Sequence, residues 1–185
     1  SAPGIVCMVH NSSSTLPPSH RHYAYFSMEI GLENDIPTYS GGLGVLAGDT
    51  LRAAADLEIP LVGVSLVHHN GYFRQKLTPQ GIQHEEAMPW NPSLRLERCD
   101  PLIQVVVDGR TVHLAAWCYR IRGAHNFHIP VYLLDSRLPM NGEYDQTLTD
   151  GLYGGDRYYR LCQELILGEG GVKMLHALGH TQLIR

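Results

Sequence analysis

Three closely spaced glycines precede a segment with helical periodicity, and this arrangement suits the binding of an anion. Gly41, Gly42 and Gly44 fall in the run 39–57, where apolar residues recur at steps of three and four. The first turn of a helix offers backbone N–H groups without intrahelical partners and the positive end of the helix dipole. Because glycine has no side chain to block the approach, the sequence predicts a phosphate site here. A glycine-rich turn is also the ordinary connection from a strand to a helix, so that alternative stays open.

The segments on either side of the glycines predict a βαβ unit. Residues 23–28 form an aromatic-rich strand candidate, and residues 59–67 are a nearly continuous apolar run of the kind found in buried parallel strands. The helix between them is predicted to pack one apolar face on the sheet. The residues of that predicted face are Leu43, Leu46, Ala47, Leu51, Ala54 and Leu57. Open parallel sheets bind ligands beyond the carboxyl ends of their strands, where the loop 29–44 is expected.

The rest of the chain predicts two hairpins, one more buried strand and a final helix. The hairpins cover 71–87 and 102–121, the strand covers 129–135, and the helix covers 157–178. The predicted inner stripe of the helix is Leu161, Leu165, Val172, Leu175 and Leu178, and its glycines are Gly168, Gly170 and Gly171. Glycine is unfavourable inside a helix, so tight packing or a break is expected there.

Length and composition fit one globular domain or a part of a larger enzyme. The 185 residues are 44% hydrophobic and 17% charged. The formal net charge of -4 gives no reason to expect nucleic acid or an anionic membrane as a partner. The four cysteines form no C-x-x-C pair, which favours a cytoplasmic setting, and the eleven histidines complete no recognisable metal-ligand set. Residues 1–22 are predicted to be a flexible N-terminal tail, and residues 23–185 an α/β domain.

Five motifs in a fixed order resemble the N-terminal part of the α-glucan (glycogen/starch) phosphorylases. They are the segments 24–30, 40–49, 71–75, 152–156 and 160–164. The resemblance extends over residues 23–178, which makes it far more specific than the glycine loop alone.

The resemblance implies a glycosyltransferase of the GT-B type with two Rossmann-like domains, in which this chain is part of the N-terminal domain. In that family, inorganic phosphate cleaves the terminal α-1,4-linked glucose of glycogen, starch or maltodextrin and releases glucose 1-phosphate. Pyridoxal phosphate assists the proton transfer through its phosphate group. Its attachment lysine lies in the C-terminal domain, and neither Lys76 nor Lys173 matches it. The resemblance thus implies a cytoplasmic enzyme, compatible with a homo-oligomer, and predicts that this chain alone is inactive and holds no catalytic residue.

Two assignments of site residues follow from the resemblance. Gly41, Gly42 and Leu43 match the glycine loop, whose N–H groups face the sugar phosphate and the cofactor phosphate in the family. Asp156 takes the position of the acidic residue in the substrate gate, although Arg157 stands where the animal enzymes often have asparagine. An N-cap of the following helix is an alternative role for Asp156, and the two roles are compatible.

Two other functions stay open at this stage. Nucleotide-sugar-dependent glucan synthases also carry a Gly-Gly-Leu-Gly turn before their first helix, but a lysine typically precedes that turn, where this chain has Ser40. A non-catalytic phosphate- or glucan-binding module is the third alternative, because the chain lacks the partner domain of the enzymes.

Overall fold

The computed structural model describes residues 16–88 and 90–183 and shows a mixed α/β architecture. The strands are β1 (Tyr23–Phe26), β2 (Leu61–Leu66), β3 (Phe73–Leu77), β4 (Gln83–Ala87), β5 (Glu97–Arg98), β6 (Ile103–Val107), β7 (Arg110–Arg122) and β8 (His128–Asp135). The helices are α1 (Gly42–Asp56), α2 (Glu143–Gln146), α3 (Arg157–Leu165) and α4 (Gly171–Ala177), with one π-helical turn, Ile166–Gly170, between α3 and α4. No helix of the described residues combines the length and the apolar character needed to cross a membrane.

The main sheet contains β1, β2, β8, β7 and β5 in that order, and β6 pairs with the first part of β7. The pairs β1–β2 and β2–β8 are parallel, whereas β7 runs antiparallel to β8. The predicted βαβ unit is therefore confirmed, because β1 and β2 are parallel neighbours joined through α1. The two predicted hairpins are confirmed as well, as the antiparallel pairs β3–β4 and β6–β7.

Helices cover both faces of this sheet. Successive residues of a strand point to opposite sides, so alternate residues of β8 pack against different helices. Val131 and Leu133 of β8 pack in the core that contains α1. Tyr132 and Leu134 pack on the other side with the π-helical turn and α4. Burial on both faces explains why the sequence of β8 is almost continuously apolar.

The predicted tail falls partly outside the described residues, which begin at residue 16. Within its described part, residues 16–22, Arg21 is only 2% exposed. Its guanidinium group donates to the carbonyl oxygens of Leu61 and His128, each at 2.6 Å. The chain is thus anchored to the sheet one residue before the predicted end of the tail.

Half of the predicted face of α1 is confirmed, because Ala47, Leu51 and Ala54 are buried, and the other half is wrong. Leu43, Leu46 and Leu57 are 68%, 61% and 73% exposed. The buried residues of α1 are Gly44, Ala47, Gly48, Leu51, Ala54 and Ala55. The face of small residues is buried because it lets the helix approach neighbouring backbone: a Cβ atom on Gly48 would lie 2.1 Å from the carbonyl oxygen of Gly31.

The C-terminal helix is present, but most of its predicted inner stripe is wrong. Of the five predicted residues, Leu175 is fully buried and Leu178 packs partly against the core, whereas Leu161, Leu165 and Val172 are exposed. The buried residues are Cys162, Gln163, Ile166, Gly170, Gly171, Met174 and Leu175. The π-helical turn changes the helical phase, which a constant period of 3.6 residues does not anticipate.

Tight packing at two of the glycines in this helix is confirmed. A Cβ atom on Gly170 would lie 2.6 Å from Cδ1 of Leu114, and one on Gly171 would lie 2.5 Å from Cε1 of Phe26. Real Cβ atoms do not approach other atoms so closely. The two glycines therefore bring the helix into direct contact with the sheet.

Replacing Gly48 by alanine is expected to lower the free energy of unfolding by about 2 kcal/mol, because the added methyl group collides with backbone that cannot rotate away. Gly168→Ala is the matched control, since its Cβ atom meets nothing within 4 Å and alanine favours a helix. Urea unfolding of the two variants measures the difference. Equal stability of the two variants would contradict the close contact at Gly48.

Candidate functional site

The carboxyl ends of the parallel strands β1, β2 and β8 meet at one edge of the sheet, which we call the carboxyl edge. Four buried ionisable residues lie at or just after the ends of these strands: Glu29, His68, His69 and Asp135. The loop that leaves β1 at this edge leads into the first turn of α1. The carboxyl edge is where an open parallel sheet is expected to bind a ligand.

The glycine loop lies open at this edge. α1 begins at Gly42, and no side chain caps its first turn. Gly42 and Leu43 are exposed, and a Cβ atom on Gly41 or Gly42 would meet nothing within 4 Å. The first turn of α1 is therefore exposed, uncapped by any side chain and clear of neighbours beside Gly41 and Gly42, and the first amides of a helix lack intrahelical partners.

Gly44 has a different role from the other two glycines of the loop. It is buried, and a Cβ atom there would lie 2.4 Å from Cβ of Tyr39 and 2.9 Å from Oε2 of Glu29. Gly44 thus makes room for groups of the protein itself, and the prediction that it clears the way for a ligand is wrong.

A buried carboxylate lies directly beside the glycine loop. Oε2 of Glu29 accepts hydrogen bonds from the backbone N of Ser40 at 2.8 Å, from Oγ of Ser40 at 3.2 Å and from the backbone N of Gly41 at 3.4 Å. Burial acts to raise the pKa of Glu29, but the hydrogen bonds from Ser40, Tyr153 and Gly41 outweigh it and lower the pKa. Glu29 is therefore ionised at neutral pH, and it already engages the Gly41 amide.

The segment 152–156 reaches the glycine loop through the same carboxylate. The hydroxyl group of Tyr153 donates to Oε1 of Glu29 at 2.7 Å. Burial, together with the hydrogen bond to Glu29, raises the pKa of Tyr153 to about 12, so this hydroxyl keeps its proton. Asp156 is exposed and caps α3, since its Oδ1 accepts from the backbone N of Tyr159 at 2.8 Å. The alternative role of Asp156 as an N-cap is thus confirmed.

A second buried carboxylate, Asp135, ends β8. Its Oδ1 pairs with Nε2 of His69 at 2.9 Å, and its Oδ2 accepts from Nε1 of Trp117 at 2.8 Å. The backbone N of Arg137 donates to Oδ1 at 2.9 Å, and Nη1 of Arg98 lies 3.5 Å from Oδ2. Burial acts to raise the pKa of Asp135, but the contacts with His69, Trp117 and Arg137 lower it overall. This cluster holds the end of β8 to the residues that follow β2.

His68, the other histidine that follows β2, is a structural residue. It is fully buried, and its Nε2 donates to the carbonyl oxygen of Met28 at 2.8 Å. Burial lowers its pKa to about 4, so the ring is neutral at physiological pH. His68 therefore fastens the end of β1 to the end of β2.

Sequence reasoning named Gly41, Gly42, Leu43 and Asp156 but missed Glu29, His69, Asp135 and Tyr153. For Asp135 the sequence did carry a signal, because a charged residue at the end of an apolar strand lies at the edge where a parallel sheet binds its ligand. Glu29 and Tyr153 both lie inside motifs of the phosphorylase resemblance, but no spacing rule joins them. Among the described residues, no three His, Cys, Asp or Glu side chains converge as metal ligands would.

Asp135→Asn is expected to lower the free energy of unfolding by about 2 kcal/mol at pH 7, because hydrogen bonds to a buried charged group are lost. The folded-state pKa lies below the ordinary value, so the stabilisation is present above about pH 4 and disappears as the pH falls through the folded-state pKa. Urea unfolding between pH 7 and pH 2 checks this. Asp35→Asn removes an exposed ion pair with Arg95 and serves as the control, with little expected effect. A constant difference between Asp135→Asn and the parent protein down to pH 2 would contradict the prediction.

Comparison with known proteins identifies relatives of the chain, although no family model matches it. A glycogen phosphorylase of Mycobacterium tuberculosis is 44% identical over 160 residues, which are 83% of this chain and 18% of the relative. A maltodextrin phosphorylase of Thermococcus litoralis is 36% identical over 174 residues, 90% of this chain and 20% of the relative. A glycogen phosphorylase of Aquifex aeolicus is 32% identical over 162 residues, 84% of this chain and 23% of the relative. The chain spans about a fifth of the length of these relatives. It is therefore a homologue of one segment of the glycogen and maltodextrin phosphorylases.

Proposed function

We propose that the chain forms one wall of the active-site cleft of an α-glucan phosphorylase. In the complete enzyme, inorganic phosphate would release the terminal α-1,4-linked glucose of glycogen, starch or maltodextrin as glucose 1-phosphate. The observation that carries the proposal is the open first turn of α1 at the carboxyl edge, on a chain 44% identical to part of a glycogen phosphorylase.

The chain contributes backbone hydrogen-bond donors to this cleft rather than a group that transfers protons. The amides of Gly42 and Leu43, at the exposed start of α1, suit the oxygen atoms of a sugar phosphate. The Gly41 amide is shared with Glu29, so its contribution to a ligand is smaller. Fixed amides stabilise charge without reorganising, which is how such a wall assists phosphorolysis.

Pyridoxal phosphate is the cofactor of the proposed enzyme, and its phosphate group supplies proton transfer when it is bound. The open amides of the glycine loop suit a phosphate group, but neither lysine of this chain matches the attachment lysine of the phosphorylases. Lys173 donates to the carbonyl oxygen of Gln104 and to Glu169 on the outside of α4. Lys76 lies in the hairpin strand β3. The attachment lysine therefore belongs to polypeptide other than this chain.

The same proposal treats residues 23–185 as part of one Rossmann-like N-terminal domain of a GT-B enzyme. Parallel strands β1, β2 and β8 with helices on both faces support it. A second domain, which carries the cofactor, would face the carboxyl edge across the cleft. We further propose a cytoplasmic enzyme whose partners are the glucan, phosphate and glucose 1-phosphate. The net charge of -4 supports the absence of nucleic acid and of anionic membrane among the partners.

The complete protein distinguishes this function from the nucleotide-sugar alternative. Incubation with maltodextrin and phosphate is expected to release glucose 1-phosphate, and incubation with ADP-glucose is expected to transfer no glucose. Transfer of glucose from ADP-glucose without release of glucose 1-phosphate from maltodextrin would overturn the proposal. This chain alone is expected to show no turnover, because positioning of the substrate needs groups from both walls of the cleft.

Gly42→Val in the complete protein is expected to lower kcat/KM for phosphate about 100-fold, because the side chain would occupy the place of the anion. The fold should tolerate the change, since a Cβ atom at Gly42 meets nothing within 4 Å. Phosphorolysis assays and thermal unfolding of the same sample measure both properties. Unchanged activity would mean that the loop is only a turn.

Asp156 is expected to act both as an N-cap and as a gate residue. Asp156→Ala should lower the free energy of unfolding by about 1 kcal/mol, whereas Asp156→Ser keeps a capping oxygen and should retain most of the stability. If Asp156 also gates the substrate, phosphorolysis should fall in both variants. Full activity of the Asp156→Ser enzyme would leave capping as the role of this side chain.

A further inference from the structure

We propose that Glu29 is a positioning residue that couples the glycine loop to the segment 152–156, so that the placement of one determines the placement of the other. The coupling itself is a property of the fold. Its consequence for activity rests on the proposed phosphorylase function. Glu29 is not offered as a catalytic residue, because it acts through the groups that it holds.

The two oxygen atoms of the Glu29 carboxylate serve different segments. Oε2 accepts all three hydrogen bonds from Ser40 and Gly41, and Oε1 accepts the hydrogen bond from Tyr153 at 2.7 Å. Tyr153 lies 124 positions after Glu29 in the chain. A rigid planar group thus fixes the distance between two segments that are remote in sequence.

Water cannot easily replace this connection, because Glu29 is only 3% exposed. Among the side chains that the structure describes, no lysine or arginine forms an ion pair with it. The charge is therefore stabilised by neutral hydrogen-bond donors, and losing one of them leaves the buried carboxylate less well stabilised and less firmly oriented toward the others. This loss of orientation is the physical basis of the coupling between Tyr153 and the glycine loop.

The backbone of Tyr153 also depends on the contact. Its φ of 56° is in the left-handed region, which non-glycine residues adopt only when surrounding contacts hold them there. The side chain is 39% exposed, so burial alone does not fix it. Losing the hydrogen bond to Glu29 should release the segment at Tyr153.

The first test is hydrogen exchange in the complete protein carrying Tyr153→Phe. The amides of Ser40 and Gly41 are expected to exchange on the order of 5-fold faster, although the substitution lies in another segment. Amides of β2 and β8 should keep their exchange rates. The control is Tyr158→Phe, because Tyr158 has a similar exposure of 38% but bonds to Asp108 and Arg110 instead. Unchanged exchange at Ser40 and Gly41 in Tyr153→Phe, or an equal increase in the control, would overturn the coupling.

The second test is a double-mutant cycle on phosphorolysis with Glu29→Gln and Tyr153→Phe. A glutamine amide has only one acceptor oxygen: if that oxygen faces Ser40 and Gly41, the NH2 group faces Tyr153, whose hydroxyl must then accept instead of donate, and the negative charge is lost. Glu29→Gln should lower kcat about 10-fold with little change in KM for the glucan, and adding Tyr153→Phe should lower it little further. Additive losses would contradict a shared role.

The two tests separate the inference from the proposed function. If the complete protein does not phosphorolyse glucans, the exchange experiment still decides whether Glu29 couples the two segments. If phosphorolysis is present but the Tyr153→Phe protein keeps the exchange rates of Ser40 and Gly41, the coupling is wrong and the proposed function stands.

Discussion

Direct backbone contact between α1 and the loop before it holds the candidate site together. The backbone N of Gly31 donates to the carbonyl oxygen of Gly44 at 2.8 Å, and Gly48 packs against the carbonyl oxygen of Gly31. Nη2 of Arg52 donates to that same carbonyl oxygen at 3.0 Å. Because no side chains intervene, the start of α1 keeps a fixed position relative to the end of β1. Glu29 lies two residues before Gly31, so the same backbone contacts also hold Glu29 close to the start of α1.

Two buried carboxylates that accept hydrogen bonds, Glu29 and Asp135, give the carboxyl edge negative charge. Glu29 is surrounded by neutral donors, whereas Asp135 has His69 and Arg98 within reach. The pKa of each acid lies below its ordinary value, so both remain anionic at neutral pH. An anionic ligand at the first turn of α1 would meet helix amides and a nearby negative charge together. Under the proposed function, the cations that balance such a ligand belong to the opposite wall of the cleft.

The longer elements of the fold could be predicted from the sequence because their signals are local, whereas the short elements β5 and α2 were not predicted. Apolar runs identified β2 and β8, and turn residues identified the hairpins β3–β4 and β6–β7. The buried face of α1 could not be predicted in the same way. Leu43 and Leu46 are more hydrophobic than Gly48, but contact with the Gly31 backbone requires a residue without a side chain, and that partner is visible only in three dimensions.

In the candidate site, too, the local features could be predicted from the sequence and the long-range contacts could not. The glycine loop follows from helix electrostatics and from motifs that are contiguous in the sequence. The contacts of Glu29 with Tyr153 and of Asp135 with His69 join residues 124 and 66 positions apart, and no periodicity connects them. The contact of Asp135 with His69 arises from the parallel order of β2 and β8, which brings the ends of the two strands together. The contact of Glu29 with Tyr153 depends in addition on the path of the chain between α2 and α3.

The π-helical turn Ile166–Gly170 has a consequence for comparing this chain with its homologues. Such a turn corresponds to one residue inserted into a regular helix, and each residue advances a helix by about 100°. A homologue without the extra residue would need a one-position gap near 166–170 for Met174 and Leu175 to align with its own core residues. An alignment without that gap would pair exposed positions with buried ones throughout α4.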